Sequence, residues 1–210
     1  MIRVAPLLAG TAILGFLWLG PLAGLSDRSF SAHMMVHMSV VAIAAPLLAW
    51  GLAGSRIDPV RAVPALFAPI PASIVEFLVV SAWHAPFLHH AARGDAAVFA
   101  VEQATFLASG LLLWLSAAGG PVETVRWRAG AGAAALLFTS MHMTLLGALF
   151  ALTPRPLYAH GENAPFGLTA LSDQHLGGAI MLLVGAASYL AGGLWLTAKT
   201  LTVAPSTPER

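Results

Sequence analysis

The sequence predicts an all-α membrane protein, a polytopic bundle of about six transmembrane helices, and three observations predict it. The chain has 210 residues, is 58% hydrophobic and has a mean hydropathy of +0.81. Only 9% of its residues are charged, against about a quarter in soluble domains, so it lacks the polar surface to cover itself in water. Its apolar runs are long and lack the period-2 alternation of a barrel strand, which leaves helices as the structure that satisfies its backbone in lipid.

A spanning helix needs roughly 20 apolar residues, rising ~1.5 Å each across a ~30 Å core. The first run, Val4–Leu25, follows Arg3 and has small residues near Ala23-Gly24, as a signal peptide does, but exceeds the roughly 7–15 residues of a signal-peptide core, so it reads as an uncleaved anchor, with a cleaved signal peptide as the alternative. Met34–Ala53 is second, ended by Gly54-Ser55 and Pro59. Val63–Trp83 and Ala97–Ala118 follow, the latter closed by Gly119-Gly120-Pro121. Ala129–Leu152 ends before Pro154 and Pro156, and Leu176–Ala198 is the last. Residues 1–200 then form one transmembrane domain, and 201–210, ending Pro205-Ser206-Thr207-Pro208, a short disordered tail.

Basic residues give the orientation. With the N-terminus inside, Arg3, Arg56, Arg61, Arg126, Arg128, Lys199 and Arg210 are inner, and Arg28, Arg93 and Arg155 are outer. Both termini are therefore expected in the cytoplasm. A net charge of +1 without a clustered basic face argues against a nucleic-acid partner. The absence of cysteine excludes disulfides and thiolate metal sites. No nucleophile–base pair or phosphate loop appears, so the chain is not read as an enzyme.

In that orientation the eight histidines avoid the inner loops. His33 and His37 open the second span; His84, His89 and His90 follow the third; His160 lies in the last outer loop; His175 opens the sixth. His142, fourteen residues from Arg128 and thirteen from Arg155, falls near the midplane. Methionines interleave with them: Met34, Met35, Met38, Met141, Met143 and Met181. Residues four apart share a helical face, so His33 and His37 can aim at one point, as can Met34 and Met38. Glu76 and Glu102 lie inside spans, where an ionisable group faces the bundle interior or a wet cavity. Asp173 is placed to cap the last helix.

Imidazole with thioether and no thiolate points first to copper, and Glu76 or Glu102 can orient a ligand imidazole through its second N–H. The same residues also admit plainer readings. A His-x-x-x-His pair can be an interfacial cap, methionines pack cores, and a buried glutamate can bond a neighbouring helix. Nothing in the spacing shows that these groups converge.

His33-Met34-Met35-Val36-His37-Met38, Trp83-His84-Ala85-Pro86-Phe87-Leu88, Glu102 with Gly110-Leu111-Leu112-Leu113-Trp114, Leu146-Gly147-Ala148-Leu149 with Pro154-Arg155-Pro156-Leu157-Tyr158, and Asp173-Gln174-His175-Leu176-Gly177-Gly178 occur in this order. Together they resemble the CtaG family, the caa3-type cytochrome c oxidase assembly factors, from about Ser31 to Lys199. Phe99 and Gln103 depart from positions near Glu102 that are often histidine in that family, and many members have an additional span. The single-span copper chaperone that shares the CtaG name carries a cysteine motif, which this chain lacks. The resemblance implies a non-catalytic role in building haem–copper oxidase in the bacterial cytoplasmic membrane, with the histidine-rich side facing the periplasm or exterior. It implies oxidase subunits, and a periplasmic copper chaperone, as partners. The combined expectation is copper held near the outer face by His33, His37 and His142, with Met34, Met38 and His175 next, His84 beside the site, and Glu76 and Glu102 as orienting carboxylates. A haem-binding redox protein and a metal-free scaffold are the alternatives.

Overall fold

The computed structural model describes residues 2–120, 125–158 and 167–202. His160 and most of the expected tail lie outside them. The described residues are helical throughout, with turns between the helices and no strand. The helices are α1 (Val4–Leu19), α2 (Pro21–Ser26), α3 (Phe30–Ser39), α4 (Ala45–Leu52), α5 (Pro59–Ala62), α6 (Pro69–Trp83), α7 (Pro86–Gly94), α8 (Ala96–Ala118), α9 (Val125–Leu152) and α10 (Ala170–Thr202). A π-helical turn, Val40–Ala44, joins α3 to α4.

Four helices are long and apolar enough to cross a bilayer: Phe30–Leu52, Ala96–Ala118, Trp127–Leu152 and Ala170–Leu201. The pair α6 and α7, bent by 70°, makes a fifth if counted as one span. The chain is thus a multi-pass membrane protein with four to five candidate spans, against the six expected. Two sequence breaks explain the difference. Gly20-Pro21 stops the first run, leaving α1 with 16 residues, a rise of ~24 Å against a ~30 Å core. Pro64 and Pro69 delay the third run, so that its helix begins at Pro69 rather than Val63.

Even so, α1 and α2 together run from one end of the bundle to the other. The Arg3 backbone N–H donates to the Gly51 carbonyl at the end of α4 (3.1 Å), and the Ser26 carbonyl at the end of α2 accepts from Arg93 on α7 (3.4 Å).

Local chemistry sets the helix ends. The Ser29 hydroxyl accepts from the Ala32 N–H at the start of α3, and the Asp95 carboxylate accepts from Ala97 and Val98 at the start of α8. Asp173 behaves differently from expectation. It lies in the first turn of α10 but serves the head of α3, accepting from the Phe30 N–H (2.6 Å), the Ser31 N–H (3.3 Å) and the Ser29 and Ser31 hydroxyls (2.8 and 2.5 Å). At the opposite end Asp58 accepts from the backbone of Gly54, Val60 and Gly120, and Arg128 donates to the carbonyls of Phe67, Ser116 and Gly119.

Small residues let the helices close. A Cβ on Gly147 of α9 would stand 2.7 Å from the Leu182 nitrogen, and one on Gly178 of α10 would collide with the Ala151 nitrogen. The π turn leaves carbonyls that neighbours complete: Val41 accepts from Trp114 Nε1 (3.0 Å) and Tyr189 (3.3 Å), and Ala42 from Ser188 (2.6 Å).

Candidate metal centre

The site is built where α3, α7 and α8 meet. His33 and His37, one turn apart on α3, are both fully buried, with rings nearly parallel and centroids 6.4 Å apart. Pro86 starts α7 immediately after the bend, and this short helix folds back over the bundle. It buries His89 and Ala92 and exposes Phe87 and His90. His89 thereby comes edge-on to His33, with centroids 4.9 Å apart. Glu102, fully buried on α8, places Oε2 4.0 Å from His33 Nδ1. One donor atom each from His33, His89 and Glu102 lie within 4.8 Å of one another. Donors around a tetrahedral ion with bonds of ~2.0–2.1 Å sit ~3.3 Å apart, so the triad needs only a small contraction to close on a metal.

His84 caps the end of α6. Its ring is 6.0 Å from His33 and 5.2 Å from His37, and its Nδ1–H donates to the Val80 carbonyl at 2.7 Å. Phe106 closes the floor, 4.1 Å from the His37 ring. Tyr158 forms the roof, stacked on Phe30 at 4.7 Å and tilted against His89 at 4.3 Å, and donates its hydroxyl to the His84 carbonyl at 2.7 Å. Burial pushes the Tyr158 phenol up, so it stays a hydrogen-bond donor.

Buried polar atoms here are short of partners. His33 Nε2, both ring nitrogens of His37, His84 Nε2 and Glu102 Oε1 have no hydrogen bond among the described residues. Buried polar atoms are ordinarily satisfied, and an unpaired one costs about 1–3 kcal/mol. The lone pairs among them, on His37, His84 Nε2 and Glu102 Oε1, suit a group that is itself a Lewis acid.

Arg93, on α7, is the one charged neighbour the sequence reading did not connect to the site. Its Nη2 donates to Glu102 Oε2 and its Nη1 to His33 Nδ1, the latter at 2.5 Å. Arginine has no acceptor atom. His33 therefore accepts at Nδ1 and carries its proton on Nε2.

The other expected residues lie outside the triad, although His142 is within charge-interaction range of His37 and His84. His142 lies against Phe77 (5.2 Å) and Phe138 (6.0 Å), with Phe77 about two turns inward of His84. His175 is half-buried, its Nε2–H donating to the Thr153 carbonyl at 2.9 Å. Met34 and Met38 are fully buried but turn to α10, beside Gly177 and Gly185. Glu76 accepts from the Tyr189 hydroxyl at 2.7 Å, in the network around the π turn. The structure thus joins His33, Glu102, His37 and His84, and adds His89 and Arg93. On α7, His89 shares a face with Ala92 and Arg93, three and four residues on. That pattern was visible, but the 70° bend that aims it was not.

These features define a multi-pass helical membrane protein with a buried histidine–carboxylate centre near one end of its bundle. The chain belongs to the cytochrome c oxidase caa3 assembly factor family (Caa3_CtaG), whose family model matches residues 1–202. No curated protein and no solved structure is found to match it.

Proposed function

We propose that the chain is a non-catalytic assembly factor that binds a copper ion through His33, His89 and Glu102 on behalf of a caa3-type oxidase. His37 and His84 stand beside the triad as further imidazole donors. The observation that carries this reading is the convergence of three buried donor atoms within 4.8 Å, contributed by three different helices. Nitrogen with one carboxylate suits copper and zinc alike. Copper is preferred because the family serves an oxidase whose centres contain it. In this reading the protein's residues hold and orient the ion, and Tyr158 and Phe106 exclude water above and below it. The site faces the periplasm or exterior, where a copper chaperone can reach it.

The haem alternative requires a flat slot between two axial imidazoles. Here the rings crowd one another, and Phe106 fills the space beside His37. The test is elemental analysis and a visible spectrum of detergent-purified protein, after copper loading, beside His33→Ala and His89→Ala. Near-stoichiometric copper that falls in both variants supports the reading. A haem band, or copper content equal in all three proteins, overturns it.

A further inference from the structure

One acceptor atom on each of two members of the triad already holds a cation. His33 Nδ1 and Glu102 Oε2, the pair 4.0 Å apart, both accept from the same guanidinium. A cation seated between these two atoms takes the place the guanidinium now holds, so it must displace Arg93. Two positive charges on one buried carboxylate would also repel, in surroundings where charge is weakly screened.

The structure offers somewhere for the guanidinium to go. Arg93 lines a cavity of about 370 Å³ together with Ala23, Gly24, Asp27, Asp95 and Phe99. Asp27, Gly24, Gly94 and Asp95 are exposed at its mouth. The Arg93 Nε–H has no partner among the described residues, and its guanidinium already lies over the Phe99 ring at 5.2 Å. Rotation about its side-chain bonds moves the charge from the triad into this cavity, toward Asp27. The Asp95 carboxylate is engaged in capping α8, which leaves Asp27 as the receiving group.

Building on the copper-site reading, we propose that Arg93 is the resident counter-cation of the metal-free centre, and that metal loading exchanges it for the ion through the cavity beside Asp27. Arg93 is then a positioning residue. It holds the donors apart and neutralises Glu102 until the ion arrives, and it sets the affinity against which any metal competes. It also favours release, because the arginine stands ready to reclaim the same two acceptors.

The experiment compares Cu(I) affinity of the purified protein and of Arg93→Gln, by competition with a chromophoric chelator. Without the competing charge the variant binds at least about tenfold tighter. In the native protein, phenylglyoxal followed by peptide mass spectrometry reads Arg93 directly, and its modification rises several-fold on copper loading. That second readout stands even where Arg93→Gln fails to fold. Equal or weaker binding by a folded variant, or Arg93 modification that does not change on loading of a protein that does bind copper, overturns the exchange and leaves the copper site intact. No uptake by either protein overturns both readings.

Discussion

A buried histidine is distinguished as a ligand or a packing residue by what its ring nitrogens face. His175 spends its Nε2–H on the Thr153 carbonyl at the end of α9, which ties two helices together. His33 accepts from a guanidinium at Nδ1, its Nε2 has no partner among the described residues, and Glu102 and His89 stand beside it. His89→Ala should therefore lose most of the bound copper while His175→Ala retains it, measured as metal per protein after gel filtration. Equal losses would show that the two histidines do not differ as their surroundings require. Asp173 poses a complementary case, because its role is structural. Asp173→Ala strands the Phe30 and Ser31 N–H groups in a buried junction, at about 1–3 kcal/mol each. It should lower the thermal midpoint by several degrees, and it should weaken copper binding only as far as α3 loosens. Asp173→Asn, which keeps acceptor capacity, should recover part of the stability. A variant as stable as the parent would refute the cross-helix cap.

At the scale of elements, the closest approach is between α9 and α10, and it depends on residues with no side chain. Gly178→Leu should be among the most damaging single changes, since its side chain meets the α9 backbone rather than a flexible neighbour. It should reduce the yield of monodisperse protein in detergent sharply, whereas Gly130→Leu, with open space around it, should leave yield unchanged. Much of this level was legible beforehand. Four of the runs emerged as long spans because lipid forces uninterrupted apolar helices, whereas the caps that Ser29 and Asp95 supply were not among the sequence expectations. What was not legible depends on angles. The segment after Trp83-His84-Ala85-Pro86 reads as a loop, because nothing in Pro86–Gly94 announces a 70° turn back onto the bundle. His89 accordingly looked like one of two adjacent loop histidines. Arg93 looked like an outer-loop charge, although it sits against Glu102 nine residues on. The Met34 and Met38 face was visible as a stripe, but its partner on α10 was not, because i and i+4 spacing gives a face without saying which helix covers it.

For the whole molecule, these placements sharpen the argument about sidedness. Arg28, Arg93 and Arg155 are the basic residues at the histidine end among the described residues. The other end keeps Arg3, Arg56, Arg61, Arg126, Arg128 and Lys199 among the described residues. On the proposed reading, the positive-inside rule turns the histidine end outward. That holds whether or not the short α1 is counted as a span, because the other helices alone define the two ends. The chain contains no cysteine, so single cysteines report sidedness without background. Ser172→Cys lies exposed beside the head of α10 at the histidine end, and Ile57→Cys is exposed in the turn before α5 at the other. A membrane-impermeant maleimide applied to intact cells should label Ser172→Cys and spare Ile57→Cys until the membrane is opened. The reverse pattern would put the histidine end in the cytoplasm. An ion arriving from a periplasmic chaperone would then have no route to His33, and the assembly role would have to draw its metal from the inner side.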